Sequence, residues 1–346
     1  MHLGQGRGSS WHFLYSIWHF LHEALTAYEA GELYNCGSGF ADDTTEMNNG
    51  LKHHGVVVPM VTPIMPNGDL DEPAVDRLVE FLLAGGVDGI FVLGTTGEGE
   101  SVPRSFRRRL VERTVKCVRH RAKVYAGLGQ LQCEDAAAGN EYFHAGADAV
   151  VARPPVSFPV PQLLPWFRAL LSRLEGPLIL YNMPSTTNIS IPLDLVAELV
   201  GHPRLAGIKD SENSPKRLDE LLRRFGAQEQ FSIFVGVGAL MARGLKSGAE
   251  GIVPSVGNLI PDVCHQLCAS AREGNWAKAE PEAKRMNAVS ALYQKGRTLG
   301  QSLAALKAAM ACRNLCGPYV LPPLQTLAEP ELESIRHQMA RLGLVS

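Results

Sequence analysis

From Gly55 the chain repeats one unit eight times, a short apolar run followed by a stretch that reads as a helix. The pairs are Val56–Pro63 with Glu72–Ala84, Gly89–Thr96 with Arg104–His120, Lys123–Gly129 with Glu134–Ala145, and Ala149–Pro155 with Gln162–Arg173. They continue with Pro177–Pro184 and Leu193–Val200, Leu205–Lys209 and Lys216–Phe225, Phe231–Gly236 and Leu240–Ser247, and Gly251–Ser255 and Asp262–Arg272. The runs are apolar throughout rather than alternating, as strands buried on both faces are. They recur roughly every 20 to 35 residues, the spacing of crossovers between parallel strands. Eight consecutive βα units predict an α/β fold, a closed (β/α)8 TIM barrel. A doubly wound open sheet is the other arrangement of such units. It would carry a phosphate fingerprint after the first strand, and Pro63-Ile64-Met65-Pro66-Asn67-Gly68 is not one.

After about Asn275 no further strand signal follows. Trp276–Tyr293, Ser302–Asn314 and Pro330–Leu342 read as three helices, with Gly317-Pro318 and Pro322-Pro323 as breaks. Residues 275–346 are therefore expected to form a small C-terminal helical appendage to a barrel over 55–274. Residues 1–46 do not share the pattern. Trp11-His12-Phe13-Leu14-Tyr15 and Trp18-His19-Phe20-Leu21-His22 read as one amphipathic helix, without the basic start or small-residue cleavage site of a secretory signal. Met47 stands just before the regular pattern, so residues 1–46 are read as an extension or an upstream mis-called start. His12, His19 and His22 are read as histidines of that helix rather than as a metal site.

The 346 residues, 45% of them hydrophobic, supply a large core. A formal net charge of -2 gives no basic field for a nucleic-acid partner. Arg104, Arg107, Arg108 and Arg109 are read as a solvated helix face. No apolar run reaches the length of a membrane span. The seven cysteines (Cys36, Cys117, Cys133, Cys264, Cys268, Cys312 and Cys316) are scattered as expected for a protein of the reducing cytoplasm. Cys264/Cys268 and Cys312/Cys316 are each spaced i, i+4 on expected helices. They are read as free thiols, not as a four-thiolate zinc site, which uses a tighter turn spacing.

In a (β/α)8 barrel the C-terminal strand ends build the active site. The second strand ends in Gly94-Thr95-Thr96-Gly97-Glu98, where glycine lets backbone approach a ligand and two hydroxyls with backbone N–H groups can hold a carboxylate. The fifth ends in Tyr181, a phenol able to relay a proton or simply to pack at the rim. The sixth ends in Lys209, which is either a salt-bridged lysine or a nucleophile. Desolvation favours the neutral amine, and a neutral amine attacks a ketone carbon to form a Schiff base. The seventh ends in Gly236-Val237-Gly238, leaving room for a ligand, and the eighth contributes Val253 and Ser255. A lysine, a tyrosine and a carboxylate cradle on three strands favour the nucleophile.

Gly94-Thr95-Thr96-Gly97-Glu98, Tyr181-Asn182-Met183-Pro184 and Gly207-Ile208-Lys209-Asp210-Ser211, in this order, resemble the pyruvate-dependent class I aldolases of the dihydrodipicolinate synthase and N-acetylneuraminate lyase family. The resemblance covers about Gly55 to Leu342. It implies a lyase in which Lys209 forms a Schiff base with pyruvate or another 2-oxo acid. Thr95 and Thr96 would bind its carboxylate, and Tyr181 would shuttle protons. The enamine then adds to an aldehyde, or the reverse reaction cleaves an aldol. No metal or other cofactor is implied, because the iminium supplies the polarisation a Lewis acid would. Family members are usually homo-oligomers, tetramers or dimers.

Within that resemblance the substrate stays open. Dihydrodipicolinate synthases carry an arginine where this chain has Thr186, and a second tyrosine after the fourth strand where it has Pro154-Pro155-Val156-Ser157-Phe158. N-acetylneuraminate lyases carry an acidic pair where it has Gly238 and Ala239, although Ser255 matches their hydroxyl on the eighth strand. Lys209-Asp210-Ser211 is also similar to 4-hydroxy-2-oxoglutarate and 2-keto-3-deoxy acid aldolases. The half-pocket beyond pyruvate is thus expected to be short of charge and to take a smaller or less polar aldehyde. A dehydratase using the same imine, and a 2-oxo acid-binding protein without turnover, are the other readings.

Overall fold

The computed structural model describes residues 52–129 and 135–345. The expected helix with His12, His19 and His22, together with Cys36 and Cys133, lies outside the described residues.

Eight parallel strands close a barrel in chain order. They are β1 (Gly55–Pro59), β2 (Gly89–Val92), β3 (Lys123–Gly127), β4 (Ala149–Ala152), β5 (Leu178–Asn182), β6 (Leu205–Asp210), β7 (Ser232–Val235) and β8 (Gly251–Ile252). β8 pairs with β1 to complete the ring. Side chains alternate across each strand, so one set faces the barrel axis and the other the helices. Val57, Phe91, Tyr125, Val151, Ile179 and Phe234 pack together inside the barrel. Val56, Val58, Ile90, Val150 and Ile208 join the larger cluster under the helices. Both faces are therefore apolar, which is why the strands read as continuous hydrophobic runs.

The helices start where local chemistry satisfies their first N–H groups. Asp71 caps Glu72–Ala84 by accepting from Ala74 N at 3.0 Å. Ser214 caps Pro215–Phe225 through Arg217 N at 3.3 Å. Thr298 and Gln301 form a reciprocal capping box at the head of Leu299–Ala311. Trp276–Gln294, Leu299–Ala311 and Glu329–Arg341 are the C-terminal helices. Arg104, Arg108 and Arg109 are exposed as expected, whereas Arg107 is half-buried and its Nε donates to Val102 O at 2.9 Å. Arg108 pairs with Glu112 one turn on, and Arg109 with Glu72 of the neighbouring helix.

Three boundaries differ from the expected ones for identifiable reasons. The first strand stops at Pro59, although Met60 to Ile64 remain buried. The eighth stops at Ile252, because Pro254 has no N–H to continue the ladder and a 3-10 turn, Ser255–Asn258, follows. The helix expected to reach Asn314 ends at Ala311, with Asn314 left-handed (φ 56°) and Leu315 N donating to Met310 O at 3.2 Å. Cys312 and Cys316 are consequently not one turn apart on one helix. All five described cysteines are free, and no group of three or more metal-ligating side chains occurs among the described residues.

Candidate active site

The parallel register sets Tyr181 of β5 directly beside Lys209 of β6, and Asn182 beside Asp210. A polar network just beyond these pairs holds the two strands together. Asn182 Nδ2 donates to Asp210 Oδ2 at 2.9 Å, and Arg217 Nε donates to the same oxygen at 2.8 Å. Glu212 N donates to Asp210 Oδ1 at 3.0 Å, so the buried carboxylate is satisfied on both oxygens. Ile191 N donates to Asn182 Oδ1 at 2.9 Å, fixing the amide from its other end. Asp210 is thereby occupied by Arg217, and Lys209 is left to the barrel interior.

Lys209 is 6% exposed. Its Nζ stands 4.0 Å from the centre of the Tyr181 ring and 5.0 Å from that of Phe91. It borders a void of about 10 Å³ among Tyr125, Val151, Ile179, Phe234 and Val253. An ammonium facing two aromatic rings gains from their negative faces while losing its water. Tyr181 is also buried, and its hydroxyl lies 3.3 Å from Thr95 Oγ1. Burial would raise the phenol's pKa. The Lys209 charge, with hydrogen bonds from Thr95, Lys209 and Ser211, outweighs burial and lowers it below that of an ordinary tyrosine.

Above these residues opens a cavity of about 210 Å³. Gly94, Thr95 and Tyr181 line it, and Phe91 and Val151 border both it and the inner void. The turn carrying Thr95 is closed by Glu98 N donating to Thr95 O at 3.1 Å and Gly99 N donating to Gly94 O at 3.0 Å. A Cβ on Gly94 would lie 2.6 Å from the Phe91 ring, so only glycine fits. The Glu98 side chain forms a dry ion pair with Lys307 of the Leu299–Ala311 helix, both side chains 1% exposed. Its Oε2 accepts from Leu321 N at 2.6 Å, and Lys307 Nζ donates to Tyr319 O at 2.8 Å. The C-terminal segment thus clamps the Thr95 turn, and its Leu299, Leu303 and Leu324 form the cavity's apolar wall.

Gly94, Thr95 and Tyr181 line the larger cavity, and Lys209 and Val253 the inner void beside it. Thr96 is half-buried in the same turn but lines neither cavity. Gly236 packs against Ser211, whose Oγ lies where a Cβ would sit. Ser255 follows β8. The 3-10 turn carries it off the strand, and its hydroxyl bonds Tyr293 Oη at 2.7 Å instead of lining either cavity.

The expectation of a charge-poor outer half-pocket also fails. Arg153, one residue beyond β4, lines the cavity with Thr186. Its Nη1 donates to Thr186 Oγ1 at 3.2 Å, and its Nη2 pairs with Glu100. Its side chain is 11% exposed, and burial lowers its pKa from the usual arginine value. A lone arginine after a strand carries no local mark of such a role. Ser211 ends the lysine motif, and its bond to Tyr181 depends on the meeting of two strand ends.

The family model described as the Dihydrodipicolinate synthetase family matches residues 52–341. A 4-hydroxy-tetrahydrodipicolinate synthase of Syntrophus aciditrophicus is 31% identical over 295 residues, covering 84% of this chain and 99% of that protein. The dihydrodipicolinate synthase structure from Bacteroides thetaiotaomicron is 28% identical, with a TM-score of 0.80 over 84% of this chain and 99% of that one. A prophage protein of the dihydrodipicolinic acid synthase family from E. coli K12, solved in complex with pyruvate, is 26% identical with a TM-score of 0.79 over the same shares. With a closed eight-stranded barrel and relatives matched along almost their whole length, the chain belongs to the dihydrodipicolinate synthetase family and is a lyase.

Proposed function

We propose that Lys209 condenses with the keto carbon of pyruvate, or of a close 2-oxo acid, and that the chain catalyses reversible aldol addition to an aldehyde. The observation that carries this reading is the Lys209 amine, 6% exposed and 4.0 Å from the Tyr181 ring centre, whose hydroxyl bonds Thr95. In that arrangement Nζ attacks the keto carbon and the oxygen leaves as water. Tyr181 is placed to give and recover the protons this requires. Thr95 and the backbone of its turn would hold the carboxylate, with Thr96 supporting the turn. The iminium draws electrons from the adjacent methyl carbon, which loses a proton and becomes an enamine nucleophile toward the aldehyde carbon.

The free thiols of the described cysteines support a cytoplasmic setting, and exposed Val156 and Val160 after β4 support self-association into a homo-oligomer. Light scattering on the full chain tests the latter, and a monomeric mass at micromolar concentration would refute it. The catalytic proposal is tested by borohydride reduction with pyruvate, read by intact mass and peptide mapping. An adduct on Lys209 is expected. A folded protein that gives none with pyruvate or longer 2-oxo acids would overturn the assignment.

A further inference from the structure

We propose that Thr62 is a positioning residue for the turn that holds the carboxylate of the 2-oxo acid, acting through one hydrogen bond to Gly97. This rests on the Lys209 imine proposed above and concerns the part of the site that grips the acid. Thr62 lies just beyond the end of β1, is fully buried and lines neither cavity. Its Oγ1 donates to Gly97 O at 2.6 Å. The residues before it are fixed on two sides. Met60 N donates to Phe91 O of β2 at 2.9 Å. Asn258, also fully buried and in the turn after β8, accepts from Val61 N at 3.1 Å and donates to Pro59 O at 2.9 Å. The Thr62 hydroxyl therefore reaches the Thr95 turn from a segment pinned to β2 and to the chain beyond β8.

The contact matters for the groups it leaves over. Gly94 O accepts from Gly99 N, Thr95 O from Glu98 N, and Gly97 O from Thr62. These carbonyls of the turn are committed within the protein. Among the described residues, no backbone carbonyl takes the N–H groups of Thr95 and Thr96. A turn with its acceptors engaged and its donors free suits an anion. The approach is also close: a Cβ on Gly97 would lie 2.8 Å from Met60 O, so the turn and the segment after β1 meet backbone to backbone. Without the Thr62 hydroxyl, Gly97 O is a buried acceptor lacking a partner. Turning that carbonyl toward the cavity relieves it and sets it against the incoming carboxylate, oxygen to oxygen.

The test compares two ketones on the full-length protein: pyruvate, and acetone, which lacks the carboxylate. The rate of borohydride trapping on Lys209 per unit concentration is measured for each by peptide mapping. The readout is the ratio of the two rates, so a loss of folding or of imine chemistry common to both cancels. Thr62→Val keeps the shape and removes the hydroxyl. It is expected to lower the ratio about five- to thirtyfold, through pyruvate alone. Thr62→Ser returns the hydroxyl and restores the ratio. If the valine variant does not fold, Thr62→Cys takes its place, its weak S–H donor giving a smaller fall in the same ratio. A ratio unchanged in the variant tested, whether both rates hold or both fall together, overturns the proposal, as does a ratio that Thr62→Ser fails to restore. Absence of any pyruvate adduct in the unaltered protein would sink the Lys209 reading and this one with it, while an adduct with an unchanged ratio would sink only the role of Thr62.

Discussion

Lys209 and Tyr181 face each other across one strand pairing, so a change at either is felt at the other. Lys209→Ala is expected to abolish the reducible adduct and turnover together, which mass spectrometry and a coupled assay check. Tyr181→Phe keeps the ring beside the amine and removes the hydroxyl, with its bond to Thr95 and the proposed relay. Imine formation should slow by roughly 10²–10⁴-fold, as for the loss of a general acid–base, in stopped-flow measurements. The lysine charge and three hydrogen bonds lower the Tyr181 pKa, so its phenolate is reached at lower pH than in an ordinary tyrosine. The alkaline limb of the pH–rate profile is therefore expected below pH 10 and absent in Tyr181→Phe. A limb that persists in the variant would assign it to another group.

At the scale of elements, two long-range contacts carry most of the risk. One lies at the start of β1, where His53 Nδ1 meets Tyr125 Oη of β3 at 2.8 Å. Burial, and then the Lys123 charge, lowers the His53 pKa from 6.5 to about 4. The unfolded chain therefore binds a proton between these values that the folded chain refuses. His53 contributes stability that is complete above pH 6.5 and lost as the pH falls toward 4, up to roughly 3 kcal/mol. Denaturant melts at several pH values should fall more steeply over that window in the unaltered protein than in His53→Gln. The other contact is the Glu98–Lys307 pair. Lys307→Met leaves a carboxylate buried without its counter-ion and is expected to cost about 3–5 kcal/mol. The double change with Glu98→Gln should recover part of this. The single variant should also raise the pyruvate concentration needed for trapping, since the Thr95 turn loses its clamp.

For the whole molecule, the sequence exposed the architecture because every strand is buried on two faces, and eight apolar runs separated by helices leave few alternatives. Strand ends were harder to place. Met60 to Ile64 are as buried as the strand before them, and burial that outlasts the ladder looks the same in sequence. The lysine, the tyrosine and the Thr95 turn stood out because each ends a strand. Arg153, Lys307 and Ser255 did not behave as their neighbours suggest. Their partners are Thr186 and Glu100, Glu98, and Tyr293, and no local pattern records a partner that distant. A chain ended after Lys295 loses one wall of the cavity and the clamp on the Thr95 turn, and its circular-dichroism melt is expected to lose cooperativity.

The clamp also has a consequence for biosynthesis. Glu98 is made early and Lys307 near the end of the chain. A ribosome adding about 5–20 residues per second separates the two by roughly 10–40 s. Through that interval the glutamate has no counter-ion and must stay hydrated, and until Gly251–Ile252 is made β1 has no β8 to pair with. The Thr95 turn is thus expected to gain its clamp only when the last helices are made.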